Sequence, residues 1–248
     1  MSNKKISVLL SVKDGEKFVA ETIDSILKQS YENFELIVVI NCSTDNTLNI
    51  VQSYKDERIK ILQSKICQLN YNLNYALEHA TGDYIARIDA DDIAMPNRFE
   101  KQIKVLEEGK YSVVGSNIKY INEYGDIIGE MLYPETNEEI RQKIIYKAVI
   151  VHPSILMKKE DLLKVGGYLG GRYAQDLDLW LRLMRDKNVK FYNIQEPLLY
   201  YRIHSAQAKG NNLAYADVAG YMVRESLYSK SWRYFLGAWI YYAKALLK

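Results

Sequence analysis

The sequence predicts an α/β fold, an open and mostly parallel Rossmann-like sheet with helices on both faces, followed by a helical C-terminal tail. Three observations predict it. Short β-rich runs alternate with helical patterns through the first half, which implies right-handed crossovers between parallel strands. The second-strand run Leu36–Ile40 is continuously apolar, as in a strand buried on both faces. Polar and acidic residues gather just after the runs, at the carboxyl strand ends where such sheets bind ligands.

The elements follow in order. Ile6–Val12 reads as a strand, and Phe18, Thr22, Ile23, Ile26 and Leu27 then recur at three- and four-residue steps, as on one helix face. After Leu36–Ile40, Ser43-Thr44-Asp45 offers capping side chains to a helix running through Leu48 and Val51. Ile59–Leu62 is a third strand, and a helix with Leu69, Leu73, Ala76 and Leu77 ends at Thr81-Gly82. Tyr84–Ile88 is a fourth strand. In the second half, Pro96 opens a helix to Glu107. Ser112–Ser116 is a strand, and Ile118–Ile128 reads as a hairpin turning near Tyr124-Gly125-Asp126. Asn137–Tyr146 is helical, Ser154–Lys158 extended, Asp176–Arg185 helical and Leu198–Ile203 a last strand. A boundary is expected near Ala206–Asn212. It divides a main domain of residues 1–207, with halves of about 1–115 and 116–207, from a tail of residues 208–248.

Composition narrows the class. The 248 residues are 48% hydrophobic and 26% charged, an ordinary globular balance. The net charge of +2, from 33 basic and 31 acidic residues, gives no reason to expect nucleic-acid binding. Cys42 and Cys67 lack metal-site spacing and read as thiols of a reducing compartment. With no signal-peptide pattern and no apolar run near the roughly 20 residues that span a bilayer, a cytoplasmic protein is expected.

Asp89, Asp91 and Asp92 fall within four positions after the fourth strand. Carboxylates so close repel one another. A divalent cation resolves the conflict, and oxygen ligands favour magnesium, manganese or calcium. The bland alternative is a solvated acidic turn with Asp92 capping the next helix. An EF-hand fails, because Ile93 and Ala94 stand at the fifth and sixth loop positions where the sixth needs glycine. No Walker loop or dinucleotide fingerprint occurs.

Five segments together resemble glycosyltransferase family 2, whose catalytic domain has the GT-A fold. They are Ile6–Glu16; Phe34–Thr47; Ala80–Asp92 with Pro96, Arg98, Phe99 and Gln102; His152-Pro153-Ser154 with Gly166-Gly167-Tyr168 and Ala174–Trp180; and Tyr200–His204. The resemblance spans roughly residues 4–207. It implies an inverting transfer of sugar from a nucleotide-diphosphate donor, a UDP-sugar by preference, to a saccharide or lipid-linked saccharide acceptor in cell-surface polysaccharide synthesis. A divalent metal, Mn2+ or Mg2+, would be held by Asp91 and Asp89. Asp176 would be the catalytic base. Ser11, Val12, Asp14, Glu16, Asn41, Ser43, Asn74, Asp89, Arg202 and His204 would contact the nucleotide sugar, with Arg202 gripping the diphosphate. His152, Tyr168 and Trp180 would face the acceptor. The sequence departs from the family at Ile40-Asn41-Cys42-Ser43, where Asp-Asp-Gly-Ser is usual, and at Gln175, where glutamate is usual. Those departures keep open an inactive sugar-nucleotide-binding or scaffold protein. A nucleotidyltransferase is the other alternative, and it lacks support from any phosphate loop.

The tail has two readings. Phe235, Leu236, Trp239, Ile240, Ala243, Leu246 and Leu247 recur at helical steps, with Arg233, Lys244 and Lys248 among or beside them. Such a helix either packs on the catalytic domain or makes peripheral contact with a membrane.

Overall fold

A computed structural model describes residues 3–205 and 212–247. The expected boundary at Ala206–Asn212 thus lies almost wholly outside the described residues, as does Lys248. Strands β1 (Ile6–Val12), β2 (Phe34–Asn41), β3 (Ile59–Ser64) and β4 (Tyr84–Asp89) pair in parallel in the order β3-β2-β1-β4. Helices α1 (Val19–Leu27), α2 (Thr47–Ser53) and α3 (Leu69–Glu78) connect them. Period-two alternation sorts the strand side chains into two cores. Val8, Leu10, Leu36 and Val38 meet Ile23, Ile26 and Phe99 on one face, while Leu9, Ile37 and Val39 join the core of Leu73, Leu77 and Trp180 on the other.

The second half adds β5 (Ile93–Ala94), α4 (Arg98–Glu107), β6 (Val113–Ile121), β7 (Ile127–Met131), α5 (Asn137–Lys143), a 3-10 turn at His152–Ser154, β8 (Leu156–Lys158), α6 (Lys159–Lys164), α7 (Gln175–Leu183) and β9 (Phe191–Arg202). They extend the sheet to β3-β2-β1-β4-β8-β6-β9-β5, with β7 on β6. β8 runs antiparallel to β4 and β6, whereas β6 and β9 are parallel. The expected hairpin is β6–β7, and the Asn122 side chain accepts from the backbone N–H groups of Tyr124 and Asp126 in its turn. β9 begins seven residues before Leu198, because a register shift near Pro197 interrupts the apolar pattern.

Arg98 and Gln102, one helical turn apart, stitch this region together. Arg98 donates to the carbonyls of Arg87 and Ile155, and Gln102 to those of Val114 and Ser154. Burial of its guanidinium lowers the Arg98 pKa to about 9. These side chains belong to the frame behind the acidic loop.

The tail forms a helical hairpin, α8 (Asn212–Ser229) and α9 (Trp232–Leu247). Its inner side, with Val218, Ala219, Met222, Ala238 and Tyr241, enters the same core as Trp180. Charge pins it as well. Asp178, 1% exposed, binds Arg182 on its own helix and Arg224 of α8, and buried Glu225 binds Arg185. No helix among the described residues is long and apolar enough to cross a membrane.

Candidate active site

The carboxyl ends of β1, β2 and β4 open into a cleft of about 1060 Å³. Its walls carry Ser11–Gly15, Gln68–Asn70, Arg87, Asp89–Asp91, Arg172–Gln175, Tyr201 and His204. Of the residues expected to bind the nucleotide sugar, Ser11, Val12, Asp14, Asp89 and His204 line this cleft.

The remaining ones brace it. Asn41 is buried and accepts from the Ser11 hydroxyl at 3.3 Å. Ser43 accepts from Asp14 N, and Asp14 returns the contact by accepting from Thr44 N at 2.8 Å. Glu16 accepts from Asn46 N at 2.9 Å. The loops after β1 and β2 are thereby laced to each other, holding Asp14 at φ 48°. Asn74 is a correction. Its amide closes a two-way clasp on the backbone of Tyr168, at 2.8 Å in each direction, and is not in the cleft wall. Gly167 enables that clasp, since its φ of 74° and the pressing Asn74 oxygen leave no room for a Cβ.

The cysteines are a second correction. Cys42 and Cys67 form a disulfide, with Cα atoms 6.0 Å apart, rather than two free thiols. The bond ties the loop after β2 to the segment leading into α3, and Cys67 itself lines the cleft. Their 25-residue separation carried no spacing signal. Cys42 has φ 54°, so it sits in the left-handed conformation that glycine more commonly adopts in such a turn.

The acidic loop is the centre of the site. One oxygen from each of Asp89, Asp91 and Asp92 lies within 4.8 Å of the others. Arg87, two residues earlier and so on the same face of β4, grips both oxygens of Asp89. Burial pushes the Asp89 carboxyl up despite that partner, with Asp91 adding repulsion. Burial likewise pushes Asp92 well up, reinforced by Asp89 and Asp91. Asp92 accepts from Arg202 N through one oxygen, while its other oxygen is buried with no partner. It caps no helix. Asp91 meets His204 Nε2 at 2.9 Å, bringing a ring nitrogen and a carboxylate to one point of the cleft. Crowded hard oxygens, an orphaned buried oxygen and an imidazole suit a divalent cation of the manganese or magnesium kind.

Arg202 is a third correction. It is 1% exposed and does not reach the cleft as a diphosphate clamp. Its guanidinium donates to the backbone oxygens of Asp91, Asn122 and Glu123 and pairs with Glu21. It therefore fixes the acidic loop from behind. The cations that line the cleft are Lys13, Arg172 and Arg87. Sequence reading assigned none of them a role, although the Arg87-x-Asp89 spacing on one strand face was a usable signal.

Asp176 stands in the first turn of α7. The preceding Ala174 adopts φ 51°, a costly left-handed conformation for a residue with a side chain. Burial raises the Asp176 pKa, and its charge acts on Asp89. Asp176 lines a second cavity of about 360 Å³, together with Tyr146, Lys147, Trp180, Tyr215, Tyr241 and Lys244. The two cavities share Ala174 and Ala214 in their walls. Asp178 points elsewhere, into its arginine pairs. His152, Tyr168 and Trp180 cluster around one another, with His152 ring centroids 5.5 and 5.7 Å from the two aromatics. Tyr168 and Trp180 are each 1% exposed. They stiffen the floor beneath Asp176 and offer no open stacking face, and only Trp180 reaches the second cavity. Burial, with the Arg87 charge, holds His152 neutral by depressing its pKa far below the usual value.

Residues 7–166 match the sequence profile described as Glycosyl transferase family 2. The chain belongs to glycosyltransferase family 2. Across 98% of its length and 97% of the relative's, it is 38% identical to the O-antigen biosynthesis glycosyltransferase WbnJ of Escherichia coli. Its fold is the GT-A fold of this family. TarS of S. aureus, solved in complex with UDP-GlcNAc, superposes with a TM-score of 0.75 at 21% identity, covering 98% of this chain and 71% of that one. The mannosyltransferase PcManGT of Pyrobaculum calidifontis, solved with GDP-Man and Mn2+, gives a TM-score of 0.64 at 18% identity, covering 99% and 74%.

Proposed function

We propose that this family 2 glycosyltransferase inverts the anomeric centre of a nucleotide-diphosphate sugar, a UDP-sugar by preference, as it passes the sugar to a saccharide or lipid-linked saccharide. The product would be a cell-surface polysaccharide, as the name of WbnJ suggests, built in the cytoplasm or at the inner face of its membrane. One observation carries the reading. At the end of β4, Asp89, Asp91 and Asp92 bring one oxygen each within 4.8 Å of the others, and His204 Nε2 joins them 2.9 Å from Asp91.

The residues divide the chemistry. The laced β1 and β2 loops, with Ser11, Val12 and Asp14, hold the nucleoside end of the donor. Lys13 and Arg172 offer the cleft's exposed positive charge to the diphosphate. Asp91, with Asp89 and His204 beside it, would hold a divalent cation, which would supply Lewis-acid neutralisation of charge on the diphosphate. Asp176 takes the proton of the acceptor hydroxyl as the new anomeric C–O bond forms. The bond to the diphosphate oxygen breaks, and the electron pair leaves with the diphosphate. Base catalysis of this kind contributes about 10²–10⁴-fold.

The test is a panel of UDP-, GDP- and dTDP-sugars with Mn2+ or Mg2+, followed by melting temperature and by nucleoside diphosphate release. One sugar nucleotide should stabilise the protein in a metal-dependent way and be hydrolysed slowly without acceptor. Asp91→Ala should remove both effects. Metal-independent stabilisation, or none by any sugar nucleotide, would end the proposal.

A further inference from the structure

The tail's second helix is amphipathic in the wrong sense for a helix facing water. Its inner side carries Gly237, Ala238 and Tyr241, small enough in part to let it lie close against Ile145 and Met222. Its outer side carries Trp232, Phe235, Leu236, Trp239 and Leu246, at steps of three, four and seven residues. Trp232 is 74% exposed, Trp239 59% and Leu246 68%. The packing therefore consumes one face of α9 and leaves its larger side chains outside.

We infer that this outer face of α9 seats in the headgroup region of an anionic membrane leaflet. Two observations choose that occupant over a second copy of the chain. From Ser226 to Lys248 the sequence holds four basic residues and no acidic one. Two such faces would meet with like charge and nothing to pair it, whereas anionic lipid neutralises it. Lys230 and Arg233 are exposed, and Arg233 and Lys244 donate to the backbone oxygens of Arg141 and Tyr146. Those uncharged acceptors leave the positive charge in place. The aromatic content agrees, because tryptophan and tyrosine favour the level where one end is apolar and the other wet.

The contact would also set the enzyme's orientation. Tyr241 and Lys244 of the same helix line the cavity that holds Asp176. Docking through the outer face of α9 would hold that cavity one helix width from the surface where a lipid-linked acceptor resides, a consequence that rests on the proposed function, while the contact itself rests on α9 alone.

Phosphatidylcholine vesicles with and without phosphatidylglycerol test it by co-sedimentation of the full chain. The protein should bind the phosphatidylglycerol vesicles, and salt should weaken binding. Trp232→Ser with Trp239→Ser should cut the bound fraction at least about tenfold. Lys230→Glu should weaken binding as well. Melting temperature and metal-dependent donor hydrolysis should stay unchanged, which separates loss of docking from loss of fold. Full binding by the tryptophan variant, or no binding by the parent protein, would overturn the inference. So would a solution dimer that the tryptophan substitutions split, since the face would then belong to a second copy. Absent hydrolysis with intact vesicle binding would count against the proposed reaction and leave this surface standing.

Discussion

Asp176 is poised between two demands. As the proposed base it must be ionised, yet burial raises its pKa and favours the neutral acid. A carboxyl whose folded pKa exceeds its unfolded value of about 3.9 contributes stability below that value and loses it as pH rises through the folded one. Asp176→Asn should therefore melt higher than the parent protein near pH 7, with the gap closing toward pH 4, while turnover falls at least about a hundredfold. Calorimetry across pH and donor-to-acceptor transfer rates check the pair. Equal melting temperatures at neutral pH would contradict the buried-acid account. The acid limb of activity should likewise sit above the range of an ordinary aspartate. At this scale the sequence was legible where chemistry is local. Asp89, Asp91 and His204 line the cleft at the strand ends, and Asp176 lines the cavity that adjoins it. Arg202 and Asn74 were misread because their roles depend on distant backbone, Asp91 and Asn122 for one and Tyr168 for the other.

Individual elements explain why some segments read easily. α1 shows its period because one face is buried, while β1 and β2 read as continuous apolar runs because both of their faces are buried. β9 did not, since a register shift splits it, and the 3-10 turn at His152–Ser154 has too few residues for any period. The disulfide was invisible for another reason. Its partners sit on two loops that only the parallel pairing of β2 and β3 brings together. Breaking it should loosen the cleft wall rather than the chemistry. Cys67→Ser is expected to raise the donor KM several-fold with little change in kcat, and to cost up to about 3.5 kcal/mol by the loop-closure estimate. Reductant added to the parent protein should reproduce both effects. An unchanged KM would show that the bond has no hold on the donor.

Across the whole molecule, residues on both sides of the expected division at residue 207 line the same two cavities. The α8 hairpin partner reaches back to shape the loop before Asp176, with Tyr221 accepting from Gly171 N and Asp217 from Tyr173 N. Ala214 of α8 stands in the walls of both cavities, and Tyr215, Val218, Tyr241 and Lys244 complete the one around Asp176. The donor side, in contrast, is built mostly from residues before Asp92. Chimaeras that exchange everything after residue 211 with WbnJ should keep the sugar nucleotide of the first partner and adopt the recipient molecule of the second, as product analysis by mass spectrometry would register. Retention of both preferences by the first partner would mean that the helices merely close the cavity and do not read what enters it.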